Sequence, residues 1–344
     1  MTGLKRMLGA LGLLLATAAG AAAETGAALD RSAVIVMYHR FGETAYPSTN
    51  IRLDQFETHL AEIAAGGYRV LPVAEIVAAL RAGQPLPDRT LGITVDDAFL
   101  SVYREAWPRL RAAGLPFTLF VSTDPIDGGL ADYMSWDQLR EMAEGGVEIG
   151  HHGKSHKSLI QMPAAALRQE IDAASARFEA ELGRRPALFA YPFGEYGRAT
   201  RDHVAAAGFA AAFGQQSGAL HTGLDRYLLP RFPLNETFGE IERFRLVTRA
   251  LPLPLTEVTP TDALLGPNPP ALGFTLDRSL GAAPGLACYA GVDSAPDLTR
   301  LDTRRIEVRF ARPFPPGRAR VNCTMPGPNG RWRWHGFQFY APKP

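Results

Sequence analysis

The chain carries almost no net charge: 36 Lys and Arg against 35 Asp and Glu in 344 residues leave a formal +1 at neutral pH. Its basic residues are scattered, which removes the electrostatic case for a nucleic-acid partner and suits a neutral polymer better. Cysteine is nearly absent, with Cys288 and Cys323 alone, so at most one disulfide can form. In an oxidising compartment two cysteines in one small region favour a bridge; the alternative is a pair of small buried thiols. Either way they stand far from the motifs that carry chemistry. There is no internal repeat, and no apolar run of the roughly 20 residues that a membrane span needs.

The longest apolar stretch, Met7 to Ala19, follows Lys5 and Arg6 and leads into Ala21-Ala22-Ala23 before Glu24. That is the pattern of a secretory signal over residues 1–23, with cleavage expected after Ala23. No cysteine lies near that point to take a lipid, and no membrane span is expected in the mature chain. A soluble protein, periplasmic or secreted, is the expectation.

About 320 residues then remain, enough for a barrel with a small appendage. Residues 24–250 alternate short β-branched runs with amphipathic, alanine-rich segments. Val34–Met37, Leu91–Val95, Phe117–Val121, Val147–Ile149 and Leu188–Ala190 read as buried strands, and Leu53–Ala65, Val73–Ala82, Tyr103–Ala113, Trp136–Glu144 and Ala164–Leu182 as helices. Such alternation favours parallel strands with helices outside, and catalytic residues at the C-terminal strand ends. Residues 251–270, with Leu-Pro-Leu-Pro-Leu and then Gly266-Pro267-Asn268-Pro269-Pro270, read as a proline-rich linker. Residues 271–344 alternate polar and apolar positions in Ile306–Ala311, Ala319–Cys323 and Arg331–Tyr340, which predicts a small antiparallel β domain.

Two segments carry the chemistry. One apolar run ends in Thr94-Val95-Asp96-Asp97, and a later one ends in Gly150-His151-His152-Gly153-Lys154-Ser155-His156. Adjacent carboxylates at a strand end can supply a metal ligand and a general base side by side, and a His-x-x-x-His loop adds two imidazoles. Each alone has an ordinary reading, a helix cap or a chance spacing. Together, each after its own predicted strand, they describe a hydrolytic divalent-metal site.

With Ala190-Tyr191-Pro192-Phe193-Gly194 further on, these segments resemble the three motifs of the polysaccharide deacetylases, the metal-dependent carbohydrate esterases. The pattern of an early Tyr38-His39 is nearest to the exported poly-N-acetylglucosamine deacetylase type. Three positions depart from the family: Ala98 replaces a glycine, Gly153 a hydroxyl residue, and Ala190 an arginine that orients the base. The resemblance runs from about Ala33 to about Pro233 and implies a distorted (β/α)7 barrel, α/β in class.

It also implies roles. Asp97, His152 and His156 would hold a divalent metal ion, zinc first with others open. Asp96 would be the general base, and an oxyanion would meet the metal and a backbone N–H near Tyr191 and Pro192. The acid for the leaving amine is either His39, after the first predicted strand, or His221, in a late loop. Arg231, on a predicted strand Leu229–Pro233, is a candidate to replace the missing arginine, the alternative being an ordinary salt bridge. His151 reads as supporting the ligands, while His59 and His203 read as surface residues. The aromatic strand Trp332–Tyr340 could stack on sugar rings or form the core of its own module. The implied substrate is an acetylated polysaccharide or oligosaccharide, with N-deacetylation leading, O-acetyl ester hydrolysis second, and a non-catalytic sugar-binding part of polysaccharide export machinery third.

Overall fold

The computed structural model describes residues 31–291 and 295–343; the expected signal peptide lies outside them. Seven parallel strands form the first domain: β1 Ser32–Tyr38, β2 Thr90–Asp96, β3 Thr118–Val121, β4 Glu148–His151, β5 Leu188–Ala190, β6 Ala211–Phe213 and β7 Phe232–Pro233. They pair in that order, and β7 pairs with β1 at Val36 and Met37. Leu229, just before β7, bridges in parallel to Phe213, so one short segment touches both edges and closes the ring. This is a distorted (β/α)7 barrel. Strands such as β2 are buried along their whole length, which is why they read as unbroken apolar runs rather than alternating ones.

The helices lie outside. α1 Leu53–Ala65 and α2 Val73–Arg81 precede β2; α3 Trp107–Ala112, α4 Thr123–Asp127, α5 Trp136–Glu144, α6 Ala164–Leu182, α7 Arg198–Ala206 and α8 Ile241–Thr248 follow in turn. The helix expected over 103–113 opens instead as a π-turn at Val102–Ala106. Pro108 at the second position of α3 accounts for this: it lacks an N–H and would clash with the carbonyl four residues back. No helix joins β6 to β7. A strand at Leu220–His221 pairs antiparallel with Ser32 and Ala33 there.

His59 is not a surface residue. It lies on the apolar stripe of α1 with Phe56 and Ile63 and is fully buried. Its ring stacks on Phe244 at 4.2 Å, with Nδ1 3.0 Å from the Tyr38 hydroxyl and Nε2 2.7 Å from the Gly239 carbonyl. His203, on α7, is half-buried.

The second domain is two four-stranded sheets sharing one apolar core. One contains β8 Leu251–Pro252, β11 Ala287–Ala290, β14 Gly317–Pro326 and β15 Trp332–Ala341; the other contains β9 Leu255–Thr259, β10 Leu272–Leu276, β12 Asp297–Arg300 and β13 Arg305–Arg309. The stretch expected as a linker is therefore partly strand. β8 pairs with β15 and β9 with β10, because Leu251, Leu253 and Leu265 bury against the module. Cys288 and Cys323 sit opposite each other on β11 and β14 and form a disulfide. Phe337 and Phe339 lie in the core, Phe337 stacked on Phe274, so most of the aromatic stripe is packing. Trp334 reaches the other way, edge-on against Phe232 of β7 at 5.3 Å, and joins the two domains.

Candidate metal centre

Parallel strands bring Asp96, His151 and Ala190 to the same end of the barrel, and the site forms there. Asp96 is the last residue of β2 and is fully buried. A buried carboxylate needs a partner, and Arg231 supplies one. Its Nη1 donates to Oδ1 at 2.6 Å and its Nη2 to Oδ2 at 2.9 Å. Arg231 is fully buried as well, and further bonds to the Gly214 carbonyl and the Thr94 hydroxyl fix its guanidinium. Burial by itself would raise the Asp96 carboxyl; the charges of Arg231, His152 and His39 outweigh it and hold the group below the usual carboxylate range. Asp96 is thus ionised, held in one orientation, and aimed by a residue that immediately precedes the strand that closes the barrel.

Asp97 follows in the left-handed region, φ 78°, which swings its side chain out of the strand toward the histidine loop. Its Oδ1 lies 3.4 Å from Nε2 of His152 and 3.0 Å from Nε2 of His156. The three donor atoms lie within 4.8 Å of one another. That oxygen is buried without a hydrogen-bond partner. His152 Nδ1 stands 2.7 Å from the Ala190 carbonyl; a carbonyl only accepts, so Nδ1 carries the hydrogen and Nε2 offers its lone pair toward Asp97. Burial would raise the Asp97 carboxyl, but the two imidazoles hold it well below the ordinary range. For His156 burial opposes charge, and the facing Asp97 reverses this and raises it. An unpartnered carboxylate oxygen and two ring nitrogens converging on one point fit a divalent cation with positions left open.

The loop between the histidines is held from below. Glu170 on α6 accepts from the backbone N–H groups of Lys154 and Ser155 and from the Ser155 hydroxyl. Gly153 has φ +79°, a left-handed conformation that glycine adopts without strain, and this accounts for a glycine at that position. His151 points away from the site. Its Nδ1 accepts from the Gly153 N–H at 3.0 Å and its Nε2 faces the Ile171 carbonyl at 3.3 Å, and burial lowers its pKa to about 3. It shapes the loop as a neutral ring. Glu170 carries no motif in the sequence; only its place on the buried side of a long helix could have marked it.

His39 follows β1, largely buried, with Nε2 3.9 Å from Asp96 Oδ2, within reach through a single water. Burial lowers its pKa, and the charges of Asp97 and Asp96 oppose that shift. His221 sits beside Ser32 at the other end of β1. Six residue steps of about 3.3 Å separate the two ends, roughly 20 Å, so His221 is remote from Asp96. Tyr191 also differs from expectation: its N–H donates to the Phe213 carbonyl and its hydroxyl to the Tyr227 carbonyl. The ladder between β5 and β6 uses the group that would have met an oxyanion, and Tyr191 is wall rather than donor. Pro192 is buried at the start of a 3-10 turn, and the next residue, Phe193, packs its ring 4.6 Å from that of His156. Around the mouth stand Arg40, lying over the Phe99 and Tyr46 rings, and Tyr133, whose hydroxyl is raised by burial and by Asp97. None of these was singled out by sequence.

Residues 83–212 match the family model described as polysaccharide deacetylase. The protein YxkH of Bacillus subtilis (strain 168), whose name assigns it to the polysaccharide deacetylases, is 24% identical over 197 residues, 57% of this chain and 69% of that protein. The poly-beta-1,6-N-acetyl-D-glucosamine N-deacetylase of Staphylococcus aureus (strain N315) is 20% identical over 233 residues, 60% of this chain and 80% of that protein. Among solved structures, the Streptococcus pyogenes deacetylase PplD in complex with acetate superposes with a TM-score of 0.58 at 22% identity, covering 63% of this chain and 98% of that one.

Proposed function

The chain carries a polysaccharide deacetylase domain, and from that premise we propose that it is a divalent-metal-dependent N-deacetylase of an N-acetylhexosamine polysaccharide. The observation that carries the reading is the pairing of two carboxylates with different partners. Asp97 faces two imidazole nitrogens, while its neighbour Asp96 faces an arginine. A divalent ion on Asp97, His152 and His156, zinc first among the candidates, supplies Lewis acidity at a carbonyl and lowers the pKa of water.

The rest is done by the chain's own groups. Asp96, ionised, accepts the proton of the attacking water, and Arg231 keeps it oriented for that. His39, 3.9 Å from Asp96 Oδ2, delivers a proton to the leaving nitrogen, so that amide and water become acetate and amine. Ala190 fixes the His152 tautomer and Glu170 fixes the loop. The Tyr38-His39 pair at the end of β1, and the likeness to the staphylococcal enzyme, support an N-acetylglucosamine polymer as substrate. The Lys5-Arg6, Met7–Ala19 and Ala21–Ala23 pattern supports export to the periplasm or beyond.

Acetate release from a panel of N- and O-acetylated glycans, with and without chelator, tests the reading. Chelator-sensitive release from N-acetylglucosamine oligomers is expected; release confined to O-acetyl esters, or indifferent to chelator, would overturn it.

A further inference from the structure

The β-sandwich lies beyond the residues that match the family model, which end at 212, yet one of its faces touches the metal centre's wall. β14 and β15 pair with Arg320 opposite Gln338, and Arg318 lies two residues along the same strand. Two positions apart on a strand is the same face. That face grips the turn after Pro192. Arg318 Nη1 donates to the Phe193 carbonyl at 3.1 Å and its guanidinium lies 5.7 Å over the Phe193 ring. The Gln338 amide donates to the Gly194 carbonyl, with its own oxygen fixed by Arg320 Nε at 3.0 Å.

What is gripped is a strained residue. Phe193 adopts φ 59°, ψ 6°, a left-handed conformation that a bulky side chain adopts only when its surroundings impose it. The ring so placed is the one packed on His156, and His156 is itself left-handed at φ 53°. His152 has a backbone carbonyl at Nδ1 to orient it. His156 has the Phe193 ring, tilted against it at 4.6 Å.

We propose that the C-terminal sandwich is a working part of the metal centre, with Arg318, supported by Gln338, acting as a positioning residue that holds Phe193 against His156 and so presets that imidazole for a divalent cation. The proposal rests on the reading of Asp97, His152 and His156 as ligands.

The test uses the full chain and zinc alone as probe, with affinity measured by competition against a chromogenic chelator and thermal stability measured on the metal-free protein. Arg318→Ala should weaken zinc binding on the order of tenfold, the lower end for residues that orient a ligand from outside, while the metal-free melting temperature stays near wild type. Arg318→Lys, which keeps a donor and a charge, should recover most of the affinity. Arg309→Ala, an exposed residue at the end of β13 whose guanidinium pairs with Glu307, should change nothing. In a Phe193→Ala background, Arg318→Ala should have little further effect, since the ring that transmits it is gone. Should Arg318→Ala fail to fold, Gln338→Ala decides by the same criteria. Unchanged zinc affinity in the Arg318 and Gln338 variants, or losses that simply add to that of Phe193→Ala, would overturn the proposal. A wild-type chain that binds no zinc would overturn the ligand reading and this inference with it.

Discussion

Arg231 holds both carboxylate oxygens of Asp96, at 2.6 and 2.9 Å, with neither side chain reached by solvent. The arginine arrives from the segment that closes the barrel, while the position where the family carries its arginine is Ala190, whose carbonyl orients His152 instead. The carboxylate is thus bound from the segment before β7.

Removing one partner of this pair leaves a buried charge alone, which costs about 3–5 kcal/mol. Arg231→Ala should therefore lower stability by that order and abolish most turnover, and Arg231→Lys should fold better yet remain poorly active, since a single ammonium cannot span both oxygens. Zinc content should be retained in the lysine variant, because Arg231 touches none of the ligands. Urea unfolding with metal analysis and steady-state kinetics would check the three outcomes together; a lysine variant with wild-type kcat would show that orientation of Asp96 does not matter.

His39 lies beside Asp96 and His221 at the far end of β1, so their substitutions should differ in effect. His39→Ala should lower kcat by about 10²–10⁴-fold, the usual range for a general acid, with metal content and KM little changed. His221→Ala should be mild. An alkoxide leaves more readily than an amide anion, so the His39 variant should lose more activity on N-acetyl than on O-acetyl substrates. A severe defect in His221→Ala beside a near-normal His39→Ala would contradict the assignment.

Buried His59 gives the fold an acid sensitivity of its own. Burial lowers its pKa from 6.5 to about 4, so as pH falls the unfolded chain takes up the proton first. The stability linked to His59 is complete above pH 6.5, falls between 6.5 and 4, and levels off below. At pH 5 the loss should be about 2 kcal/mol. His59→Gln, whose amide can serve both the Tyr38 hydroxyl and the Gly239 carbonyl, should lose correspondingly less between pH 7 and 5 in guanidinium titrations. Parallel losses in the two proteins would show that His59 does not titrate as described.

Much of this was legible in the sequence because it depends on local pattern. Periodicity located α1, α5 and α6 to the residue, and the strand-end position of the motifs brought Asp96, Asp97, His152 and His156 to one mouth. What the sequence hid depends on distant packing. His59 looked polar on a helix, and only the stacked Phe244 and the Tyr38 hydroxyl, far along the chain, make it core. Tyr191 stood in a motif, but whether its N–H was free depended on a ladder with β6 that the motif does not encode. The proline-rich stretch looked like a linker because prolines break regular pattern, although β8 and β9 sit at sheet edges, where missing donors are tolerated. Arg318 had no signal, and Glu170 only its place on a long helix, since each acts through another residue.

The mechanism turns on two neighbouring aspartates doing different work, and the most direct measurement is metal content beside turnover in Asp96→Asn and Asp97→Asn. The amide at Asp96 keeps the shape but cannot take the water proton, so that variant should carry about one divalent ion per chain, as the wild type should, and release almost no acetate. The amide at Asp97 removes the only anionic ligand, so that variant should lose its metal on dialysis and regain activity in part when zinc is supplied in excess. Two variants that keep or lose metal alike, or an Asp96→Asn protein that still turns over, would contradict the division of labour on which the mechanism rests.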